Sequence, residues 1–174
     1  PESLAEGVLA GLPTYDKELY FEYSHRITLS RLAQSVLELK NGITLHELTL
    51  DIAHLHGLSR TSKKQRQHLR DVIKNWAGFW RDGLEKTTVW RSPDDVCDEI
   101  PWRGYRAFGI EREWSELCYQ EQIGIAKAAL AANPQDPVDW LFREFEVARR
   151  HPTTVEVFTD WVNRVRPSDT GIIK

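Results

Sequence analysis

The densest concentration of chemically useful side chains in this 174-residue chain lies between Arg60 and Lys74. Six cations stand there (Arg60, Lys63, Lys64, Arg66, Arg70, Lys74) against one acid, Asp71. At about 100° per residue with Leu69 as origin, Val72, Ile73 and Trp76 fall within about 60° of it. Lys63, Gln67, Arg70 and Lys74 fall between about 100° and 160°. The spacing predicts a helix that packs on one face and presents cations and an amide on the other. Such a helix fits the DNA major groove: Arg, Lys and Gln reach base edges, while Ser62 and the lysines near its start hold phosphates. The competing reading is a solvated charged face. Such faces normally mix signs, and this one does not.

Other constellations fail on inspection. His46-Glu47-Leu48-Thr49-Leu50 begins like a zinc-protease motif but has Leu where the second His must stand. His54 and His56 point to different sides of a helix, and His46 joins neither, so satisfied or surface histidines are expected. His68 lies on the basic helix, where a plain surface role is expected. Pro93-Asp94-Asp95 starts like a nuclease motif, but no acid-x-Lys follows on a strand. There is no P-loop, nucleotide-binding Gly fingerprint or Gly-x-Ser-x-Gly elbow. Cys97 and Cys118 form no CxxC pair, which implies neither a zinc site nor a disulfide framework. Cys118 falls on an apolar helix and reads as a core thiol. A nonenzymatic protein with no cofactor and no metal is therefore expected. Trp102-Arg103-Gly104-Tyr105-Arg106 interleaves aromatics with cations and is a second nucleic-acid candidate. Its alternative is a connector that packs Trp102 on the core.

Charge is unevenly spread. The whole chain carries −3, yet residues 1–91 hold 13 Lys+Arg against 11 Asp+Glu, and residues 92–174 hold 10 against 15. Attraction for a polyanion must come from a local face. Cysteine usage suggests a reducing, cytoplasmic home. No apolar run approaches a membrane span, so no membrane partner is expected. The chain lacks Met and starts at Pro1, as expected of a piece of a longer protein.

The elements that must position the basic face follow from periodicity and punctuation. Residues 1–25 read as an N-terminal arm. Leu29, Leu32, Ala33, Val36 and Leu39 predict a helix that stops at Asn41-Gly42. Thr44 to Glu47 has capping-box form, and Leu45, Leu48, Ile52 and Leu55 continue as a second helix closed by Gly57. The basic helix is third. Asp82-Gly83 between two β-prone runs predicts a hairpin over Phe79–Trp90. Beyond Ser92-Pro93, helices are predicted from about Glu111 to Ala132, over Val138–Ala148, and over Val155–Val165. Four of the seven tryptophans (Trp76, Trp114, Trp140, Trp161) fall within predicted helices, three of them on apolar stripes, and read as core. The fold class is mainly α with a small β-hairpin: a winged helix-turn-helix at 26–92, then a small C-terminal helical bundle within 93–174.

Leu29 to Trp90, and above all Gly57-Leu58-Ser59-Arg60-Thr61-Ser62-Lys63-Lys64-Gln65-Arg66, resembles the small winged-helix domains appended to bacterial superfamily 1 helicase-related proteins. Those carry a Gly-hydrophobe-x-Arg-Thr-Gly-x-x pattern before the third helix; here Ser62 stands for the second Gly. The resemblance implies a nucleic-acid-handling domain elsewhere in the parent protein. The candidate DNA contacts are Arg60, Ser62, Lys63, Lys64, Arg66, Gln67, Arg70 and Lys74, with Arg81, Lys86 and Arg91 from the hairpin. Duplex DNA is the expected partner. A protein-interaction scaffold or dimerisation module, docking on parent-protein domains or a second copy, and a transcription regulator remain as alternatives.

Overall fold

Apolar residues three and four apart build the helices of the first unit. Residues 3–81 and 86–167 are described in a computed structural model. α1 (Arg26–Leu39) contributes Leu29, Leu32, Ala33 and Val36 to the core. β1 (Ile43–Thr44) leads into α2 (Leu45–Leu55), which adds Leu45, Leu48, Ile52 and Leu55. α3 (Lys63–Ile73) closes the cluster with Leu69 and Ile73, both fully buried. β2 (Gly78–Trp80) and β3 (Thr88–Trp90) follow. β3 is central in a three-stranded antiparallel sheet of order β1-β3-β2, with Val89 opposite both Ile43 and Phe79. The molecule is thus mainly helical with a small antiparallel sheet. The Asp82-Gly83 turn lies outside the described residues.

Two local devices set where the helices stop and start. Thr44 Oγ1 accepts the Glu47 amide proton at 3.0 Å. The second half of the expected box is missing, because the Glu47 carboxylate accepts from Lys40 Nζ instead. Gly57 ends α2 in a left-handed conformation (φ 69°). Its amide donates to His54 O and the Leu58 amide to Ala53 O, a Schellman arrangement.

The chain divides into two compact units, Pro1–Asp98 with Gly104–Tyr119, and Glu99–Arg103 with Gln120–Lys174. The first is larger than the 26–92 segment. Residues 3–25 are not a separate arm: they form three short 3-10 turns (Gly7–Leu9, Lys17–Phe21, Tyr23–His25) that put Leu9 and Tyr20 into the core. The Tyr15 amide donates to Leu55 O at 2.9 Å. The expected helix from Glu111 is also shorter. Glu113 (ψ 126°) and Leu117 (ψ 133°) have extended backbone, which interrupts a helix running on from Glu111; upstream, the Arg112 amide donates to Tyr105 O and its guanidinium to Gly104 O at 3.3 Å. Only a 3-10 turn (Trp114–Glu116) forms before α4 (Tyr119–Ala132).

In the second unit, Glu121 on α4 is buried and takes a two-pronged ion pair from Arg103 (3.0 and 2.5 Å). α5 (Pro137–Glu144) and α6 (Pro152–Val165) pack through Phe142, Phe145, Phe158 and Trp161. The α5 stripe stops short of Ala148 because Phe145 caps the helix and Glu146 turns left-handed (φ 53°).

Residues 3–25 are clamped through a buried histidine pair. His56 Nδ1 lies 2.7 Å from Ile52 O, and a carbonyl only accepts, so Nδ1 carries the proton. Neutral His56 then accepts at Nε2, and His25 Nε2–H donates across 3.0 Å. Tyr15 packs on both rings. Burial pushes both histidines below the usual 6.5, and for His56 the neighbouring His25 adds to it. A base held down in the fold gives stability that is full above 6.5 and lost as pH falls through the folded value. His25→Phe, which leaves His56 Nε2 unsatisfied, is expected to cost about 1–3 kcal/mol at pH 7.5. The gap between wild type and variant should narrow toward pH 5 in urea melts; a gap that stays constant contradicts the neutral pair.

Candidate nucleic-acid interface

The basic helix is positioned at its first residue. Ser62 Oγ accepts the Gln65 amide proton at 3.2 Å, and Gln65 Oε1 accepts the Ser62 amide proton at 2.7 Å, a complete capping box. Gln65, Leu69 and Ile73 are buried, which fixes the rotation of α3 about its axis. Lys63, Lys64, Gln67 and Lys74 are then exposed, while Arg66 and Arg70 are half-buried. Arg60 is exposed just before the cap.

The individual side chains differ in how far they are already engaged. Among the described residues Arg60, Lys63, Arg66 and Lys74 form no ion pair. Lys64 Nζ sits 4.9 Å over the Phe21 ring. The Arg70 guanidinium sits 5.1 Å over Phe79. Gln67 donates to Asp71 at 3.2 Å, so the one acid of the segment is held by an amide neighbour.

The hairpin residues separate. Arg81 is exposed, in a left-handed conformation (φ 69°), with its guanidinium 4.3 Å over Trp80, whose ring stacks on Tyr119 at 4.8 Å. Lys86 is exposed. Arg91 is drawn elsewhere. Its amide donates to Asn41 Oδ1 at 2.8 Å and its Nε to Asp95 Oδ2 at 3.0 Å, which holds the Asp95 carboxyl below its ordinary value.

Three residues beside α3 carried no sequence signal. Phe21 underlies Lys64 and packs on His68 at 5.1 Å, and Arg26 stacks on the highly exposed Tyr23 at 5.9 Å. They come from the 3-10 turns and the first residue of α1, far upstream of α3 in the chain, where no period is broken or repeated. His68 is not a plain surface residue: it is half-buried against Tyr20 and Phe21, and burial, then Arg26, lowers its pKa.

The second candidate segment is spent on internal contacts. In the second unit Trp102 Nε1 donates to Glu144 Oε1 at 2.7 Å and Arg103 is paired with Glu121. In the first unit Tyr105 and Arg106 both donate to Glu111. Among the described residues no group of three or more His, Cys, Asp or Glu could hold a metal ion, and no helix is long and apolar enough to cross a membrane. Cys118 is buried with its thiol directed at Gly42 O.

No protein-family model, curated protein or solved structure matches the chain.

The cap is the point at which the cationic row is set. Ser62→Ala is expected to lose about 1 kcal/mol in urea unfolding, and Ser62→Asp to retain most of it. Equal stability of all three proteins would remove the cap from this role.

Proposed function

We propose that the first unit is a nonenzymatic DNA-binding module of the winged-helix kind. The observation that carries this reading is the exposed row Lys63, Gln67 and Lys74, with Lys64 beside it, on a helix whose other face is locked into the core. α2 braces α3, and the exposed Arg81 and Lys86 extend the row onto the hairpin. Lys and Gln at the helix surface serve as base-edge and phosphate ligands. The resemblance of Gly57–Arg66 to helicase-appended winged helices supports placing the module in a larger bacterial, cytoplasmic helicase, restriction or repair protein. Arg91 is left out of the interface, because Asp95 already neutralises it.

Each cation placed on a phosphate releases condensed counterions, so duplex affinity should fall linearly in log–log form with salt, by about 0.9 per contact. In fluorescence anisotropy with a short duplex, Lys63→Glu combined with Lys64→Glu and Lys74→Glu should abolish binding. All three residues are exposed, so the fold is expected to persist by circular dichroism. Lys74→Gln alone should lower the salt slope by about one. Undiminished binding by the triple variant would overturn the reading. Sedimentation as a monomer with no preferred sequence fits an appended module, whereas a dimer selecting a palindrome is the behaviour of a regulator.

A further inference from the structure

Three large apolar side chains stand exposed close together in the chain: Phe21 (42%), Tyr23 (85%) and Ile27 (68%). Among the described residues, Tyr23 and Ile27 are the most open of the exposed large hydrophobics. Single exposed apolar residues are ordinary, whereas a group of them marks a contact surface. This group adjoins α3. Phe21 lines a pocket of about 490 Å3 with Lys63, Lys64, Gln67, His68 and Asp71. That volume is in the range of small-ligand sites and has room for a nucleobase. Arg26 joins Tyr23 to the pocket: its guanidinium lies 5.9 Å over the Tyr23 ring, and its charge helps to hold the His68 ring neutral.

A continuous duplex does not account for this surface. It offers a protein phosphates, sugars and base edges, while the faces of its bases are stacked away. Phosphate contact alone would call for a charge excess that is small here. In the turns and the pocket, Lys17, Arg26, Lys63 and Lys64 stand against Glu18, Glu22 and Asp71, a surplus of one. What the corner has in abundance is ring surface beside cations, the composition on which unpaired bases stack. Lys63, Lys64 and Gln67 belong both to the pocket and to the exposed face of α3, so a strand held by that face lies beside Phe21. Lys64 Nζ stands 4.9 Å over the Phe21 ring, but its side chain is exposed and can lift onto a phosphate. The exposed cation–π contact it gives up is weaker than a stacked base.

We propose that this corner binds unpaired nucleotides of a strand leaving a duplex, their bases against Phe21 and Tyr23 and their phosphates on Lys63, Lys64 and Arg26. The inference rests on the DNA reading above and adds the substrate class: a duplex with a single-stranded extension. Every base has a π-face, so stacking here selects for an unpaired base and not for its identity.

Fluorescence anisotropy of the full chain compares one duplex in three forms: blunt, with a short thymidine overhang in either polarity, and with the same overhang abasic. A thymidine single strand is the fourth probe. The thymidine overhang should raise affinity roughly tenfold over the blunt duplex. The abasic overhang, which keeps the phosphates and lacks the rings, should recover little of that gain. Tyr23→Ala should bring the thymidine-overhang duplex to the affinity of the blunt one, and Tyr23→Trp should keep the gain. Tyr23 is exposed, so both variants are expected to fold, as circular dichroism would verify. Equal gains from the thymidine and abasic overhangs, or a full gain in Tyr23→Ala, overturn this proposal and leave duplex binding by α3 standing. Binding of the single strand that is lost in Tyr23→Ala, with no binding of the blunt duplex, overturns the duplex reading and supports the stacking site. Absence of binding by all four probes overturns both. A dimer in sedimentation that Tyr23→Ala dissociates assigns the surface to a second copy of the chain and overturns the proposal.

Discussion

The stripe formed by Leu69 and Ile73 is the constraint on which the first unit turns. α3 is eleven residues long, and a helix that short and that polar does not persist in water by propensity. It exists because those two side chains, with Gln65 tied into the cap, are buried against α1 and α2. Full burial of each is worth about 1.5–3 kcal/mol. Burying the stripe also settles the rotation of α3, so the exposure of Lys63, Gln67 and Lys74 follows from the core and needs no separate device. The core fixes direction, and the Ser62–Gln65 box fixes register along the axis.

The sheet extends the same logic to the hairpin. β1 is two residues long and has no independent stability. It is held because Ile43 pairs with Val89 in the middle strand and because the Leu45 amide, at the start of α2, donates to Thr87 O. The first turn of α2 and the return strand of the hairpin are thereby one hydrogen-bonded piece. Trp90, fully packed, and Phe79, under Arg70, then join the hairpin to the helical core. The positions of Arg81 and Lys86 relative to α3 rest on these few contacts within one unit.

What the sequence made legible is what repeats locally. The stripes of α1, α2 and α3, the Thr44 and Ser62 caps, the Gly57 stop and the two hairpin strands are each written within a few residues. The features it hid are single long-range matches. Nothing near Lys40 announces that its ammonium is buried on Glu47 and Asp51, seven and eleven residues on. Nothing near His25 announces His56. Residues 3–25 have no helical period, so they read as an arm, yet Leu9 and Tyr20 each find a slot in the core. Residues 111–118 carry enough apolar residues to resemble the start of α4. Their backbone turns extended at Glu113 and again at Leu117, and Arg112 is tied back to Tyr105 and Gly104, long-range matches that no local pattern announces. Among the proposed DNA contacts, Arg91 shows the same limit: its charge is visible in the sequence, and its neutralisation by Asp95 is not.

The net charge of −3 does not argue against a polyanionic partner, for a reason of scale. At physiological ionic strength exposed charges are screened over about 8 Å. A phosphate approaching Lys63 or Lys74 therefore responds to the neighbours of α3 far more than to carboxylates elsewhere in the chain. On α3 the only acid is Asp71, engaged by Gln67. Six carboxylates of the first unit (Glu6, Glu47, Asp51, Glu111, Glu113, Glu116) instead line a pocket against α2 that no α3 residue enters. Keeping the two signs on separate elements has a physical advantage: cations paired with nearby acids, as Arg91 is with Asp95, have little attraction left for a phosphate.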